Sequence, residues 1–273
     1  MGVAVVTGAN SGIGRATALG LARAGFHVIA AGRSVERTAP VLAEIEGERG
    51  TAEFVELDLA SLGSVRAAAR KVVASGHAVD VLVNNAGIGV NRRGLTEDGF
   101  EVHFGINHLG HFLLTNELGP VLDEGARVVS FTSAMHHRAE GIDLARTRRP
   151  TRGIGLTEYA ISKLANVLFI SELARRRPEL RAYAVHPGLV RTRLIPAPIR
   201  AFTSGMISPE QGADTVLWCA TTGDVAHESG GYYQQRTRLP ASAVGQDDEL
   251  ATGLWDQSEL WCEEALGSRG RGL

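Results

Sequence analysis

The sequence predicts an α/β fold in which a doubly wound parallel sheet carries helices on both faces. Three observations support this prediction: short apolar runs alternate with longer amphipathic segments, a glycine-rich turn follows the first run, and no linker-like stretch divides the 273 residues. A strand, a helix and a second strand in succession form a right-handed crossover onto a parallel sheet. We therefore expect residues 1–273 to form a single domain.

Seven short runs rich in apolar and β-branched residues are predicted as strands. They cover residues 3–7, 27–32, 52–57, 79–84, 127–132, 181–186 and 231–235. Five of the segments between them place apolar residues three or four positions apart, which is typical of one face of a helix. These predicted helices cover residues 13–24, 61–74, 107–118, 159–177 and 208–219.

Two helix ends carry local signals that support these boundaries. Ser208 is followed by Pro209 and, three positions on, by Gln211, which predicts a capping box with proline at the first helical position. Three arginines, 175–177, precede Pro178, where cations complement the negative end of a helix dipole. The last residues, 268–273, are rich in Gly and Arg, and we expect them to fray.

A glycine-rich turn joins the first predicted strand to the first helix. Gly8, Gly12 and Gly14 give the spacing G-x-x-x-G-x-G. Glycine lets a backbone turn sharply and approach a ligand, and the helix that follows offers free N–H groups to a phosphate. A P-loop is excluded because Arg15-Ala16 stands where Lys-Ser/Thr is needed, whereas an ordinary tight turn stays an alternative.

Polar residues in and after this turn predict how a dinucleotide is held in a Rossmann-type fold. Asn10 and Ser11 are expected either to cap the helix or to bind a phosphate, and Ile13 begins the helix. The second strand ends at Gly32 and Arg33, with no acidic residue to bind a ribose 2′-hydroxyl. A guanidinium suits a 2′-phosphate, so NADP(H) is favoured over NAD(H), and a solvated arginine at the end of a strand stays the alternative.

Tyr159 and Lys163 lie four residues apart at the start of a predicted helix, so the phenol and the amine share one face. A free phenol titrates near pH 10, and bringing its pKa close to 7 needs about 4 kcal/mol of preferential phenolate stabilisation. A neighbouring cation together with an oxidised, positive nicotinamide can supply that energy. Tyr159 is therefore a candidate general acid/base, although this spacing alone is common on helices.

The motifs in chain order resemble the short-chain dehydrogenase/reductase family. They are Thr7-Gly8-x-x-x-Gly12-x-Gly14, Asp58-Leu59, Asn84-Asn85-Ala86-Gly87, Asn107, Ser133, Tyr159-x-x-x-Lys163 and Pro187-Gly188. The resemblance spans about residues 3–235. Within the family, Gly110-His111-Phe112, residues 133–137 and residues 159–168 are most similar to the retinol-dehydrogenase-like branch.

The resemblance implies a catalytic tetrad with one role for each residue. Tyr159 would be the acid/base, Ser133 would hold the substrate oxygen, Lys163 would bind the nicotinamide ribose and Asn107 would anchor a proton-relay water. Ser133 fits because it ends a strand at the ligand-binding edge of the sheet. Asn107 lies inside a helical pattern, where a kink that holds water would explain it and an exposed asparagine is the alternative.

The resemblance also implies further contacts with the dinucleotide. Asp58 and Leu59 would flank the adenine, although Asp58 by itself is equally a helix N-cap. The small residues that end the fourth strand would meet the cofactor, or form a plain turn: Asn85, Ala86 and Gly87. The segment after the sixth strand would meet the nicotinamide carboxamide through Pro187, Gly188, Val190 and Thr192, with Thr192 as the side-chain donor.

Three segments outside these motifs bear on the substrate. Residues 189–207 contain Pro196 and Pro198 and few polar residues, which predicts a lid over an apolar pocket and a lipophilic substrate. The arginines between Ser133 and Tyr159 fit an anionic substrate less well than a solvated flap. The His108 and His111 pair lacks nearby Cys or carboxylate ligands, so no metal site is predicted.

Composition limits the partners and the compartment. The net charge of −2 gives no basic excess for nucleic acid, and no apolar run is long enough to span a membrane. The two cysteines, Cys219 and Cys262, form no C-x-x-C pair and fit reduced cytosolic thiols. We therefore expect a cytoplasmic protein with a small-molecule substrate. The helices at 107–118 and 159–177 are expected to be exposed and to form a homodimer or homotetramer.

Membrane-bound members of the retinol-dehydrogenase-like branch have an amino-terminal anchor. We expect none here because the chain enters its first strand at once, so a retinoid substrate is not carried over. The preferred function is hydride transfer between NADP(H) and a carbonyl or alcohol. A non-catalytic NADP-binding redox sensor and a reductase of activated C=C bonds stay as alternatives.

Overall fold

The computed structural model describes residues 1–191, 205–225 and 228–269. Its strands form one sheet in the order β3-β2-β1-β4-β5-β6-β7-β8. The first seven strands are parallel and β8 pairs antiparallel with β7. The strands are β1 Val3–Thr7, β2 His27–Gly32, β3 Ala52–Glu56, β4 Val81–Asn84, β5 Arg127–Phe131, β6 Arg181–Val185, β7 Gly231–Gln234 and β8 Thr237–Leu239.

Helices cover both faces of the sheet, as a doubly wound fold requires. One core lies between the sheet and the layer that holds Phe112, Leu164 and Leu168, and the other lies opposite, around Leu19 and Val216. The helices are α1 Gly12–Arg23, α2 Val35–Gly47, α3 Leu62–Ala74, α4 Val102–Phe104, α5 Gly110–Glu117, α6 Leu156–Arg176, α7 Pro209–Thr221 and α8 Asp248–Arg269.

The predicted doubly wound α/β fold is confirmed, and seven strands lie where they were predicted to within two residues. The capping box at the start of α7 is also present, with Ser208 and Gln211 bonding reciprocally. The eighth strand was not predicted. Its turn places Gln235 and Arg236 at positive φ without the Asn-Gly pair that marks such hairpins, and all three of its residues are exposed.

The helix predicted at 107–118 begins earlier and is irregular. Four residues after Glu101, which caps α4, the chain forms a π-helical turn over Gly105–Leu109 and then continues as α5. Gly110 donates its N–H to the Gly105 carbonyl across this wider turn. Such insertions into helices are frequent at functional sites, and Asn107 lies in the middle of this one.

The expectation that the helices at 107–118 and 159–177 are exposed is wrong. Helix α8 lies across them and covers their apolar faces. Phe169 of α6 stacks on Trp255 of α8 with ring centroids 5.8 Å apart, and Phe112 of α5 meets the same indole edge-on at 4.9 Å. The sequence analysis did not predict helices α2 and α8. Helix α2 contains an internal proline, Pro40, which argues against a helix when only the sequence is considered.

Within the described ranges, none of the helices is both long and apolar enough to pass through a membrane.

Candidate active site

A cleft of about 620 Å³ opens at the carboxyl ends of the strands. It lies where the strand order reverses between β1 and β4, which is where doubly wound sheets bind their ligands. Most of the predicted site residues line it: Gly8, Asn10, Ser11, Gly12, Ile13, Gly14, Arg33, Asp58, Leu59, Asn85, Ala86, Gly87, Tyr159, Lys163 and Pro187.

The glycines of the first turn hold backbone segments in close contact. Gly8 and Gly12 have φ of 68° and 56°, which side chains rarely adopt. A Cβ on Gly14 would lie 2.3 Å from the Gly8 carbonyl oxygen and 2.4 Å from Nδ2 of Asn85. The turn therefore needs glycine both for its shape and for the approach of α1 to β4.

The amino terminus of α1 faces this cleft. Ser11 is its N-cap residue, yet the Ser11 side chain makes no capping hydrogen bond. Two roles were expected for Ser11, capping of the helix and binding of a phosphate. The structure does not show the capping role. The first N–H groups of the helix are left facing the cleft, as in sites that bind a pyrophosphate.

The two arginines considered for a 2′-phosphate differ in their surroundings. Arg15 of α1 forms an ion pair with Glu44 of α2, so its charge is already balanced. Arg33 follows β2 on the cleft wall, is exposed, and has no ion-pair partner among the described residues. Of the two, Arg33 is the cation that can bind an added anion.

Asp58 and Leu59 also lie on the cleft wall, after β3. The alternative role for Asp58 as an N-cap is wrong, because α3 begins after Ser61. Asp58 instead accepts a hydrogen bond from the Ala60 N–H at 2.9 Å, and its own N–H donates to the Ser64 hydroxyl at 3.0 Å. This local turn shapes the wall next to the glycine loop.

Thr7 ties the first and fourth strands together beneath the cleft. Its buried hydroxyl accepts the backbone N–H groups of Asn85 and Ala86 at 3.0 and 2.9 Å. The same hydroxyl bonds to Nε2 of His111 at 2.9 Å, and Nδ1 of that ring donates to the Asn107 carbonyl at 3.1 Å. Burial lowers the pKa of His111 to about 4, which fits a neutral ring with this arrangement.

Neither Thr7 nor His111 was predicted to have a role here. The sequence does contain a signal for Thr7: its hydroxyl ends an otherwise apolar strand, and a buried hydroxyl needs hydrogen-bond partners. Apart from its place in the Gly110-His111-Phe112 motif, His111 was considered only as a metal ligand. Its ring nitrogens are both used in hydrogen bonds, and among the described residues no three His, Cys, Asp or Glu side chains converge on a possible metal position.

Replacing Thr7 with Val is expected to lower the free energy of unfolding by about 3 kcal/mol, because two partly buried N–H groups lose their acceptor. Urea unfolding measures this loss. Thr7→Ser is the matched control, since it keeps the hydroxyl and is expected to stay much closer to the unchanged chain. Equal unfolding midpoints for the two variants would show that the hydroxyl network contributes nothing.

Tyr159 and Lys163 meet at the inner end of the cleft. The Lys163 amine lies 5.7 Å from the centroid of the Tyr159 ring and donates to the Phe131 carbonyl at 3.1 Å. Burial lowers the pKa of Lys163 to about 8. Ser133 does not line the cleft, but its hydroxyl is near enough to the Tyr159 phenol to lower the pKa of that phenol. Three of the four predicted catalytic residues are therefore in mutual reach.

The electrostatics of Tyr159 differ from the simplest expectation. Burial raises the pKa of its phenol, and the Ser133 hydrogen bond offsets only part of that rise. The Lys163 amine alone therefore does not bring the phenol towards neutrality. The remaining stabilisation of a phenolate has to come from a positive group that enters the cleft, which the sequence argument assigned to nicotinamide.

Asn107 is buried and fully hydrogen-bonded. Its Oδ1 accepts the Ile88 N–H at 2.8 Å, and its Nδ2 donates to the Ile88 carbonyl at 3.1 Å and to the Ser162 hydroxyl at 3.0 Å. The Ser162 hydroxyl in turn donates to the Tyr159 carbonyl at 2.8 Å. The alternative of an exposed asparagine is wrong, and the side chain holds the cleft wall against the helix that carries Tyr159.

The segment after β6 matches the prediction less closely. Gly188 and Val190 do not line the cleft; Val190 is buried beside Gly212, in the same hydrophobic core as Ile13. Thr192 lies outside the described residues, as does most of the predicted lid at 189–207. The two described ends of that lid pair with each other, with Arg191 donating to the Ile207 carbonyl at 3.0 Å.

Several arginines of the loop before Tyr159 have partners in the protein. Arg146 bonds to Glu158 at 2.8 Å, and the Arg148 guanidinium lies 3.7 Å from the centroid of the Phe100 ring. These contacts fit the expected surface flap. Sequence reasoning missed two other arginines, Arg92 and Arg191, which line the cleft itself.

Comparison with known proteins adds an independent finding. The model of the short chain dehydrogenase family matches residues 2–198. The chain is 39% identical over 270 residues to retinol dehydrogenase 11 of Homo sapiens, covering 94% of this chain and 84% of that protein. It is 38% identical over 273 residues to polyprenol dehydrogenase of Mus musculus, covering 93% and 81%.

Solved structures give the same result. An uncharacterised protein from Mycobacterium paratuberculosis is 36% identical, with a TM-score of 0.79 and coverage of 96% of this chain and 94% of that one. A short chain dehydrogenase from Burkholderia cenocepacia J2315, in complex with NADP, is 28% identical, with a TM-score of 0.70 and coverage of 84% and 94%.

Proposed function

Because the chain belongs to the short-chain dehydrogenase family and is an oxidoreductase that transfers hydride, we propose that it acts between NADP(H) and a carbonyl or alcohol, with Tyr159 as acid/base. The observation that carries this proposal is the convergence of Tyr159, Ser133 and Lys163 at the inner end of a glycine-lined cleft. The similarity to retinol dehydrogenases inferred from the motifs is confirmed by the relatives.

The residues of the cleft fit a dinucleotide. A side chain at Gly14 would collide with Gly8 and Asn85, and one at Gly87 would lie 2.9 Å from Oδ1 of Asn107, so the backbone at these glycines has no side chain shielding it. The free N–H groups at the start of α1 suit the pyrophosphate, and Asp58 and Leu59 suit the adenine side. The bound dinucleotide supplies or accepts the hydride.

The protein's own groups handle the proton. Ser133 orients the substrate oxygen, and the Tyr159 phenol donates a proton to it during reduction or removes one during oxidation. Lys163 is buried beside the phenol and opposes its protonation by charge, while it is also placed to bind a ribose hydroxyl. Burial excludes water from this proton exchange.

The substrate that we propose is small and lipophilic. Ile88, Val90 and Ile106 make part of the cleft wall apolar. The relatives named above are dehydrogenases of retinol and polyprenol, which are both alcohols. Purified protein should therefore oxidise NADPH in the presence of apolar aldehydes, retinaldehyde among them, and reduce NADP⁺ with the matching alcohols. A panel that gives nucleotide binding without any turnover would instead favour the redox-sensor hypothesis.

Arg33 is proposed to bind the 2′-phosphate, and this predicts a change in nucleotide preference. Arg33→Ala should raise the KM for NADPH about tenfold, since one exposed charge-assisted contact is lost, while the KM for NADH stays the same. Steady-state kinetics with each nucleotide measures the difference. Arg15→Ala is the control: its cation is already paired with Glu44, so we expect a smaller effect. If Arg33→Ala changed the KM for NADPH and the KM for NADH equally, Arg33 would not bind the 2′-phosphate.

A further inference from the structure

A buried histidine lies in the turn that follows Ser133. The chain forms a short 3-10 helix over Ala134–Arg138, at the start of which the Ser133 hydroxyl accepts the Met135 N–H at 3.2 Å. His136, in the middle of this turn, is 0% exposed. Its backbone N–H and its ring atom Nδ1 lie 3.0 and 2.8 Å from the Ser133 carbonyl oxygen. The histidine therefore holds the backbone of a residue of the candidate active site.

The other ring nitrogen of His136 determines where the ring hydrogen lies. Nε2 accepts the backbone N–H of Ser242 at 3.1 Å, and a ring nitrogen that accepts carries no hydrogen. The hydrogen of the neutral ring is therefore on Nδ1, which donates it to the Ser133 carbonyl. Burial lowers the pKa of His136, which fits a neutral imidazole. One ring thus forms a hydrogen bond to Ser133 on one side and to Ser242 on the other.

Ser242 belongs to the segment that joins β8 to α8. The Ser242 hydroxyl accepts the Gly245 N–H at 3.1 Å, so the segment turns back on itself. The segment also packs on α6, since a Cβ on Gly245 would lie 3.3 Å from Cγ1 of Val167. The part of the chain to which His136 bonds is therefore supported by the same helix that carries Tyr159.

Aromatic contacts restrain the His136 ring as well. The Tyr232 ring of β7 meets it edge-on, with centroids 4.8 Å apart and an interplanar angle of 61°. The His137 ring lies 4.0 Å away on the side of the next residue. Tyr232 is buried, whereas His137 is exposed. These contacts and the two hydrogen bonds together keep the ring nitrogens directed at Ser133 and Ser242.

We propose that His136 is a positioning residue, which bridges Ser133 to Ser242 and so holds the Ser133 hydroxyl in place beside the Tyr159 phenol. The proposal rests on the function proposed above, in which Ser133 orients the substrate oxygen. His136 does not line the cleft, so it acts only through the serine that it holds. A displacement of about 1 Å in a group that orients the substrate is enough to slow a reaction strongly.

Two variants separate the two hydrogen bonds of the imidazole. The amide of a glutamine reaches the position of Nε2 and can still accept from Ser242, but it loses the bond to Ser133. His136→Gln should therefore lower kcat for a carbonyl substrate about tenfold, with unchanged NADPH affinity. The amide of an asparagine lies near the position of Nδ1 and can still donate to Ser133, so His136→Asn should lose less activity.

His137→Gln is the matched control. It removes an imidazole from the same turn, but this imidazole is exposed and forms no side-chain hydrogen bond to any of the described residues. Its kcat should equal that of the unchanged chain. If His136→Gln also had an unchanged kcat, the proposal would be wrong.

A double-mutant cycle tests whether His136 acts through Ser133. In a Ser133→Ala background, His136→Gln should change kcat by no more than about twofold, because the hydroxyl that the histidine holds in place is no longer there. A general structural role would instead lower kcat by the same factor in both backgrounds. That result would overturn the proposal.

The bridge itself can be measured in the unchanged chain, so this test does not depend on the folding of a variant. In ¹⁵N spectra at pH 7, the His136 ring should carry hydrogen on Nδ1 and none on Nε2. A ring with hydrogen on Nε2 cannot accept the Ser242 N–H, and would overturn the bridge. If the spectrum shows the bridge but no carbonyl or alcohol is turned over, the proposed function fails while the bridge between Ser133 and Ser242 stands.

Discussion

Tyr159→Phe is expected to reduce turnover by about three orders of magnitude, because the variant loses the group that we propose exchanges a proton with the substrate oxygen. The ring and its contacts with His103 and Lys163 stay, so nucleotide affinity should change little. Turnover is followed by nicotinamide absorbance, and binding by the fluorescence of NADPH.

Tyr183→Phe is the matched control for that variant. Tyr183 is buried in β6, and its hydroxyl donates to the Val225 carbonyl at 2.9 Å, away from the cleft. Loss of this bond should cost about 1 kcal/mol of stability and leave turnover as it was. If Tyr159→Phe keeps more than about a tenth of the activity, another group must supply the proton and the acid/base assignment is wrong.

Gly14→Ala is expected to weaken NADPH binding about a hundredfold, which corresponds to about 2.7 kcal/mol. The added methyl group meets the Gly8 carbonyl at 2.3 Å and the Asn85 amide at 2.4 Å. Neither can withdraw freely, because Gly8 follows β1 directly and Asn85 donates to the Thr7 carbonyl at 2.6 Å. Helix α1 must therefore move away from the turn, which displaces the N–H groups that would meet the pyrophosphate.

Gly47→Ala separates this effect from a general effect of replacing helical glycine. Gly47 ends α2, and a Cβ there meets nothing within 4 Å, so the control should be at least as stable as the unchanged chain. Calorimetric titration with NADPH and thermal unfolding are measured for both variants. Undiminished affinity in folded Gly14→Ala would refute the placement of the pyrophosphate.

Most of the fold could be predicted because its signals are local. Buried parallel strands are apolar throughout, and the helices between them have clear periodicity and, at Ser208, a capping box. What could not be predicted depends on tertiary contacts. Helix α2 tolerates Pro40, and the β7–β8 hairpin uses Gln235 and Arg236 where sequence rules look for Asn-Gly.

The candidate site also contains residues that could be predicted from the sequence and residues that could not. Residues whose backbone or reactive group faces the cleft, such as Gly14 and Tyr159, belong to recognisable motifs. Thr7 and His111 lie below the surface of the cleft, and their partners lie far away in the chain or are backbone carbonyls and N–H groups. No spacing rule indicates such contacts, because they arise only after the sheet has assembled.

The cover that α8 forms over α5 and α6 has a consequence for biosynthesis. Every strand of the sheet precedes α8 in the chain, so a ribosome completes the sheet while Phe112 and Phe169 still lack their partner, Trp255. Until that helix emerges, the nascent protein presents an aromatic surface that invites aggregation or chaperone binding. If translation is arrested before Asp248, we therefore expect an incompletely packed intermediate that aggregates or binds chaperones.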